Sequence, residues 1–370
     1  MLTIRHHLVV QMQTRVLYIG NQLASKNRTA TTIDTLSDLL RKQGYQVKTA
    51  SSVKNQWLRG LHMAWVTLLN RNWAQFVLID TYSTRNFWYA ISIGYICRWL
   101  NIKYIPILHG GNLPARLKTN PKVFHHFLSN AHRVVSPSDY LKFAFEERSD
   151  EEVHAEHLTG QAGSRSTKAN FKKITVIQNS LELENYDFNK RSRVQPKLLW
   201  VRSFAEIYNP MMALKVLERL LEQLPNACLT MVGPDKDGSL QRCEQYALEK
   251  GLPVHFTGLL SKTEWIALSR EHDIFINTSH FDNMPVSILE AMALGLPVIS
   301  TNVGGIPILI QNESNGLLVD DDDVIRMVES IISLTKNQEL ANRLSTNAYI
   351  LVGKFSWDTI KNSWNELLRS

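Results

Sequence analysis

The sequence predicts an α/β protein with two parallel sheets in series, one in each half of the chain. Short apolar runs alternate with helical patterns from end to end, which is typical of βαβ units and therefore of parallel sheets. The pattern starts afresh at residue 197, after a polar and basic stretch at 186–196 that closes with Pro196. At 370 residues the chain is also too long for one ordinary core and suits two domains of roughly 100–200 residues.

The first half opens with the apolar run RVLYIG at 15–20, which predicts a buried strand. A helix is predicted next at 32–43, because apolar side chains recur there at helical spacing and Gly44 follows as a stop signal. The later apolar runs predict strands at 46–50, 76–80 (FVLID), 104–108 (YIPIL) and 133–135 (RVV).

The second half repeats this scheme. The run KLLWV at 197–201 predicts a strand, and the spacing of apolar residues predicts a helix at 210–223. Further strands are predicted at 228–232, 254–257, 274–277 and 297–301. Each is followed by a helical pattern or a loop, so the second half forms a parallel sheet of its own.

The composition and the boundary signals divide the chain into four segments. These are an N-terminal tail at 1–14, an N-terminal domain at 15–190, a C-terminal domain at 191–355 and a C-terminal helix at 356–370. The C-terminal helix could pack back on the N-terminal domain. The polar stretch at 146–173 is expected to be a long surface loop.

The overall composition is that of a folded protein in a reducing compartment. Apolar residues make up 44% and charged residues 20% of the chain. The three cysteines, Cys97, Cys228 and Cys243, show no metal-binding or disulfide-framework spacing. No signal peptide is expected, and the most apolar stretch, at 87–100, is too short and interrupted for a transmembrane helix. We therefore expect a cytoplasmic protein.

The two halves of the chain carry opposite net charges. Residues 1–195 contain 26 Lys and Arg against 13 Asp and Glu, a net +13, whereas residues 196–370 contain 15 against 21, a net −6. This asymmetry indicates that the halves face different partners. An anionic membrane, a nucleic acid and an anionic substrate are all compatible with the basic half.

The stretch at 280–310 (HFDNMPVSILEAMALGLPVISTNVGGIPILI) is the most informative part of the sequence. A loop follows the predicted strand, and a helix then begins near Pro285, a residue that suits a first helical turn. Such a helix start offers free N–H groups and the positive end of the helix dipole to a phosphate. Asp282 precedes the helix and Glu290 lies about 7.5 Å along it, which suits a sugar and a ribose on either side of a diphosphate. The alternative to a binding role is that Glu290 is a solvated helix residue and Asp282 a loop acid near the helix N-cap.

This stretch resembles the donor-binding signature of the family 4 retaining glycosyltransferases (glycosyl transferases group 1). That signature has two acids with seven residues between them, followed by AMA-x-G-x-PVI-x-T-x-x-GG. The chain has Asp282 and Glu290 and then AMALGLPVISTNVGGIP. The resemblance extends from RVLYIG through VIQNSLELENYDF to FSWDTI. It implies the GT-B fold, in which an acceptor-binding and a nucleotide-sugar-binding Rossmann-like domain have parallel sheets facing across a cleft.

The resemblance also implies roles for particular residues. Glu290 matches the acid that binds the nucleotide ribose, and Asp282 matches the acid that contacts the transferred sugar, where most members have Glu. Arg202 matches the arginine that binds the diphosphate, for which a guanidinium is well shaped. The donor loop that meets sugar and phosphate is matched by Asn283, Met284, Pro285, Val286 and Ser287.

One position departs from the family pattern. Members usually carry a lysine a few residues after the arginine, and this chain has Tyr208 there. A non-catalytic GT-B-like protein that binds nucleotide sugars or glycans is therefore the alternative function. In the N-terminal domain, His109, Gly110 and Gly111 match the family position where a histidine or a nearby backbone group approaches the reacting sugar, although a lone His after a strand is often structural.

The implied activity is transfer of a sugar, with retention, from a nucleotide-diphosphate sugar to a glycan or lipid-linked saccharide. The setting implied is bacterial surface polysaccharide or lipopolysaccharide synthesis. The leaving phosphate would help to deprotonate the acceptor, and no metal or other cofactor is expected. Asp235 and Asp237 form a D-x-D pair, but their place after Gly-Pro favours a solvated turn.

Two other protein classes lack their expected patterns. A nicotinamide-dependent oxidoreductase would carry G-x-G-x-x-G after the first strand, where this chain has GNQLAS. No helix-turn-helix, zinc or RNP pattern accompanies the basic half. We therefore expect no nucleic-acid partner.

The segment at 57–73 (WLRGLHMAWVTLLNRNW) has an apolar stripe with two alternatives. The stripe is either core, which such stripes more often are, or an interfacial helix that holds the protein at the inner face of the cell membrane. Arg59 and Arg71 flank it. The stripe consists of Leu58, Leu61, Trp65 and Leu68.

Overall fold

The computed structural model describes residues 14–22, 31–109, 113–145 and 174–369. The chain divides into two compact units, one formed by Met1–Ser180 with Ile360–Ser370 and the other by Leu181–Thr359. The predicted tail (except residue 14) and the predicted surface loop at 146–173 lie outside the described residues.

The first unit contains a six-stranded sheet in which all pairings are parallel. Its strands are β1 (Arg15–Ile19), β2 (Gln46–Ala50), β3 (Phe76–Thr81), β4 (Lys103–Leu108), β5 (Val134–Ser136) and β6 (Ile174–Val176). The strand order β2-β1-β3-β4-β5-β6 reverses the direction of winding between β1 and β3. Described helices of this unit are α1 (Thr32–Lys42), α2 (Gln56–Leu69), α3 (Asn86–Trp99), α4 (Leu113–Thr119) and α5 (Pro121–Ser129).

The second unit repeats the architecture with a second parallel six-stranded sheet. Its strands are β7 (Lys197–Val201), β8 (Cys228–Val232), β9 (Val254–Gly258), β10 (Ile274–Asn277), β11 (Val298–Thr301) and β12 (Leu317–Val319). The order β12-β11-β10-β7-β8-β9 puts the reversal between β10 and β7. In open α/β sheets, ligands bind outside the carboxyl ends of the strands at such a reversal.

The helices of the second unit begin after these strands. They are α6 (Pro210–Leu221), α7 (Ser239–Lys250), α8 (Lys262–Leu268), α9 (Val286–Ala293), α10 (Ile306–Leu309), α11 (Val324–Lys336) and α12 (Gln338–Val352). The α9 helix is buried along its whole length apart from Val286, because strands β10 and β11 and helix α12 pack against it. A last helix, α13 (Trp357–Leu367), closes the chain.

The prediction of two parallel sheets in series is confirmed, and two strands were missed. β6 and β12 are three-residue strands at sheet edges. The sequence pattern does not indicate these two strands, although it does indicate the equally short β5. The predicted strand at 133–135 lies at Val134–Ser136.

The polar stretch predicted to separate the domains belongs to the second unit. The units divide after Ser180, and Leu181 donates its N–H to the Phe355 carbonyl at 2.8 Å. Arg191 is buried and donates to four carbonyl oxygens, those of Asn189, Ser269, His272 and Leu294. Burial lowers the pKa of Arg191 to about 10. Arg191, which the sequence places in a linker, thus connects several backbone segments inside the second unit.

The final helix contributes to the first unit from Ile360 onward. Its apolar stripe is buried, with Ile360 and Trp364 each at most 5% exposed. Tyr45 donates its hydroxyl hydrogen to Asn365 Oδ1 at 2.8 Å, which ties the helix to the end of α1.

The apolar stripe of α2 faces away from the core of the first unit. Leu58, Leu61 and Trp65 are 57–69% exposed, and Leu68 is half-buried. The core interpretation of this stripe is therefore wrong, because Met63 and Thr67 occupy the buried face of the helix. None of the helices in the described part of the chain combines the length and apolar character needed to span a bilayer.

Candidate functional site

The structure brings Arg202 and Asp282 together at the winding reversal of the second sheet. Arg202 directly follows β7, and the loop that carries Asp282 follows the neighbouring strand β10. Because both strands are parallel, both residues emerge at the same edge of the sheet. Arg202 Nη2 and Asp282 Oδ2 form an ion pair, and both side chains are less than one fifth exposed.

Tyr208 supports the Arg202 side chain. The guanidinium lies over the Tyr208 ring, 4.5 Å from the centroid, which is a favourable cation–π arrangement. Burial lowers the pKa of Arg202, whereas electrostatic interaction with Tyr208 and Glu290 raises it. Tyr208, at the position where the resemblance implies a lysine, thus contacts the Arg202 guanidinium and orients it.

Backbone contacts hold the loop that carries Asp282. The Asp282 carbonyl accepts the Gly305 N–H at 2.9 Å, and one oxygen of its carboxylate accepts the Asn283 N–H at 2.9 Å. Gly304 passes close beneath with φ +55°, so that a Cβ there would overlap the Asp282 carbonyl oxygen. This close approach requires glycine.

Gly304→Ala tests that packing. We expect a loss of about 1–3 kcal/mol of stability from overlap and left-handed backbone strain, seen as a lower melting temperature of the second unit. Gly238→Ala is the matched control, since Gly238 also has positive φ (+83°) but no heavy atom within 4 Å of a Cβ. A loss no greater than that of the control would contradict the close contact.

The start of α9 faces the same loop. Pro285 is the N-cap, with φ −69° and ψ 113°, and Val286 is the first helical residue. Proline thus stands one position before the first turn in which the sequence places it. The first N–H groups of a helix have no acceptor within it. The Ser287 Oγ, in the first turn, is buried without a hydrogen-bond partner among the residues that the structure describes.

Glu290 lies one turn further along α9 and is buried, so it is not a solvated helix residue. Its Oε1 accepts the Tyr186 hydroxyl hydrogen at 2.7 Å and forms an ion pair with Lys262 Nζ at 3.0 Å. Burial, with the nearby Glu290 charge, raises the pKa of Tyr186 well above its usual range. Tyr186 therefore stays a hydrogen-bond donor at physiological pH.

His109 lies in the first unit, after β4. Its Nε2 is 2.8 Å from Asp80 Oδ1, and the Tyr18 hydroxyl donates to the same oxygen at 2.8 Å. The His109 ring stacks on Tyr82 with centroids 5.4 Å apart. The carboxyl ends of adjacent strands β1, β3 and β4 supply this network. Gly110 and Gly111 lie outside the described residues.

The acidic D-x-D pair is engaged in a turn at the start of α7. Asp235 accepts the N–H groups of Gly238 and Leu240, and Asp237 accepts those of Glu206 and Ser239. The Ser239 hydroxyl bond is the main cause that lowers the pKa of Asp237. These carboxylates have structural roles as turn and cap acceptors.

A second group of acids stands near the start of α11. Ligand atoms of His280, Asp321 and Asp322 lie within 4.8 Å of one another. His280 Nδ1 is 2.9 Å from an Asp321 oxygen, and Asn209 donates to Asp322 at 2.6 Å. Asp323 caps α11 by accepting the Arg326 N–H. The neighbouring acids thus pair with polar groups of the loops around them.

Sequence reasoning missed the contributions of Tyr186 and Lys262. Tyr186 is 104 residues from Glu290, and Lys262 begins a different helix, so no local spacing connects the three. The only sequence signal is that Tyr186 falls in the string VIQNSLELENYDF that resembles the family. The stacking of Tyr208 on Arg202 was also not indicated.

Comparison with known proteins shows which proteins the chain resembles. Residues 184–350 match the family described as Glycosyl transferases group 1. The glycogen synthase of Mycobacterium tuberculosis is 27% identical over 192 residues, 50% of this chain and 46% of that protein. The UDP-Gal:alpha-D-GlcNAc-diphosphoundecaprenol alpha-1,3-galactosyltransferase of Escherichia coli is 26% identical over 191 residues, 47% of this chain and 48% of that protein. The matched part of each relative is thus under half of its length.

Solved structures match over a longer part of the chain. Sucrose-phosphate synthase from Thermosynechococcus elongatus has a TM-score of 0.74 and 17% identity, covering 96% of this chain and 98% of that chain. Anabaena HepE, solved in complex with UDP and glucose, has a TM-score of 0.72 and 17% identity, covering 96% and 100%. The resemblance to group 1 glycosyltransferases and the fold class of two Rossmann-like domains are confirmed.

Proposed function

We propose that this chain is a retaining glycosyltransferase that moves a sugar from a nucleotide-diphosphate sugar to a hydroxyl of a glycan or lipid-linked saccharide. The observation that carries the proposal is the grouping of Arg202, the α9 N-terminus and buried Glu290 at the winding reversal of the second sheet. A cation and free N–H groups suit a diphosphate, and a buried carboxylate suits a ribose diol. The setting proposed is bacterial surface polysaccharide or lipopolysaccharide synthesis.

In the proposed reaction, the bond between the sugar C1 and the leaving phosphate oxygen breaks. The acceptor oxygen bonds to C1 on the same face, and its proton passes to an oxygen of the leaving phosphate. Arg202 and the first N–H groups of α9 stabilise the charge that develops on that phosphate. Catalysis of this kind depends on positioning and electrostatic stabilisation.

Asp282 is assigned to the transferred sugar, and His109 is the catalytic residue proposed for the first unit. The ion pair with Arg202 holds Asp282 beside the residue proposed to bind the diphosphate. His109 is held by Asp80 and by stacking on Tyr82, so its ring orientation is set by the first unit before any substrate binds. Donor-loop residues 283–287 complete the proposed donor site.

Calorimetry with UDP, GDP and ADP, each with and without Mg²⁺, tests the donor site. We expect one nucleotide to bind at micromolar Kd independently of the metal, because Arg202 and α9 supply the positive charge. UDP is the first to try, since the E. coli relative is named for UDP-Gal and HepE was solved with UDP. No binding by any of the three would reject the proposal.

A non-catalytic sugar- or nucleotide-binding protein is the second candidate. The observation that favours it is Tyr208, which contributes an aromatic ring against Arg202 and no second cation. Release of free nucleotide from the matching nucleotide sugar separates the two. Slow turnover in the presence of bacterial membranes or glycan supports the transferase, whereas tight binding without turnover supports the alternative.

We assign a peripheral contact with an anionic membrane to the first unit. The apolar face of α2 is exposed at Trp57 (84%), Leu61 and Trp65, and three aromatic residues of the adjacent helix α3 are also exposed. Basic side chains exposed on or beside these helices are Lys54, Arg71, Arg85 and Arg98. Arg59, predicted to flank the stripe, is instead buried and donates to Val53 O and Lys54 O. Aromatic residues with surrounding cations suit an anionic bilayer surface.

Vesicle flotation tests this membrane contact. We expect the protein to float with vesicles containing about 30% anionic lipid, and binding to fall about tenfold or more in the triple variant Trp57→Ser, Leu61→Ser, Trp65→Ser. The matched control places serine at three exposed apolar positions of the second unit, Leu248, Ile325 and Ile350. Equal binding by both triple variants would contradict the assignment.

A further inference from the structure

We infer that Tyr186 and Lys262 are positioning residues that hold Glu290 for the ribose of the donor. The inference rests on the proposed function and extends it, because neither residue belongs to the donor-site residues assigned from sequence. All three side chains belong to the second unit and come from different elements, the segment after residues 183–185, the start of α8 and the second turn of α9. They converge on one carboxylate oxygen.

Among the residues that the structure describes, the polar contacts of the Glu290 carboxylate are all on one oxygen. Tyr186 and Lys262 both contact Glu290 Oε1, at 2.7 and 3.0 Å. Neither contact involves Oε2. Two contacts on one oxygen fix the plane of the carboxylate, so Oε2 can accept from the vicinal hydroxyls of a ribose with little reorganisation.

The charges explain why the lysine is needed. Glu290 is buried, and an unpaired buried carboxylate is costly. A bare carboxylate would also repel the diphosphate of a bound nucleotide. Lys262 neutralises it from the solvent side, where its own side chain is 48% exposed and its Nζ lies over the Tyr186 ring at 5.6 Å. The pair thus presents a hydrogen-bond acceptor with little net charge.

The same unit contains a second glutamate that contacts a tyrosine hydroxyl and a lysine, outside the proposed site. On α6 and α7, Glu218 accepts a bond from the Tyr246 hydroxyl and pairs with Lys250 at 2.8 Å. Its carboxylate is about one third exposed and is part of the helix surface. Substitutions there remove the same chemical groups without touching the proposed site.

The experiment measures Kd for the nucleoside diphosphate that binds most tightly and for its 2′,3′-dideoxy analogue. The variants are Tyr186→Phe, Lys262→Met and Lys262→Arg, with Tyr246→Phe and Lys250→Met as controls. We expect Tyr186→Phe and Lys262→Met to weaken ribonucleotide binding about tenfold while dideoxynucleotide binding changes less than about twofold. Lys262→Arg should restore most of the preference for ribose.

Each other outcome overturns the inference. Equal weakening of both nucleotides would show a merely structural role, and an unchanged preference for ribose in both variants would show no role. Lys262 is half exposed, so its variants keep the test valid even where Tyr186→Phe perturbs folding. If the unmodified protein binds no nucleoside diphosphate, the proposed function is rejected and the inference with it. Binding that ignores ribose in the unmodified protein rejects the inference alone.

Discussion

Arg202→Met is expected to lower kcat/KM by about 10²–10³, the loss seen when one preorganised donor to a developing negative charge is removed. Arg202 forms an ion pair with Asp282 of the donor loop and lies over the Tyr208 ring. Methionine removes both the positive charge and the two parallel N–H donors of the guanidinium. Arg202→Lys should recover only part of the rate, because an ammonium cannot bind a diphosphate bidentately. Steady-state rates with the matching nucleotide sugar measure both.

The ion pair with Asp282 makes a second readout necessary. Arg202→Met also leaves a largely buried carboxylate without its cation, which costs stability. The double variant Arg202→Met, Asp282→Asn removes that unpaired charge. It should recover thermal stability and remain inactive. Recovery of activity along with stability, or a rate for Arg202→Met within threefold of the original, would show that Arg202 acts only in folding.

Glu290→Ala is expected to weaken nucleotide binding about 10²-fold and to abolish measurable donor turnover. The variant removes the buried carboxylate that is proposed to accept from two ribose hydroxyls, and hydrogen bonds to charged groups contribute about 1.5–3 kcal/mol each. It also leaves Tyr186 and Lys262 without their shared partner. Calorimetry and steady-state kinetics measure the two effects.

Glu218→Ala is the control for that variant. Glu218 has the same two kinds of partner, a tyrosine hydroxyl and a lysine, on the surface of the same unit. Its replacement should leave nucleotide affinity and turnover within about twofold. Unchanged kcat/KM in Glu290→Ala, or an equal loss in Glu218→Ala, would remove Glu290 from the donor site.

Much of the fold could be predicted from local pattern. Runs such as RVLYIG and KLLWV are continuous apolar stretches bounded by polar residues, and both form interior strands of their sheets. Buried parallel strands have this signature because both of their faces are covered. The edge strands β6 and β12 are three residues long and do not have it.

Composition misplaced the beginning of the second unit. The stretch at 186–196 is polar and basic, which is typical of a linker, yet Tyr186 and Arg191 are buried in that unit. Arg191 is tolerated because four backbone carbonyls accept its hydrogens. Three of those carbonyls lie 78, 81 and 103 residues further along the chain, and the fourth is that of Asn189, two residues before. No local sequence pattern indicates the three distant partners.

The sequence by itself determined the two parallel sheets and the loop and helix at 282–290, because these depend on side-chain order within one or two consecutive elements. The candidate donor residues came from the resemblance to the group 1 glycosyltransferases. Only the tertiary structure decided the partners of those residues: Asp282 with Arg202, and Glu290 with Tyr186 and Lys262. It also decided that the apolar face of α2 is exposed. Strand order and helix orientation set these contacts, and a periodic pattern reports that a helix has an apolar face without reporting what covers it.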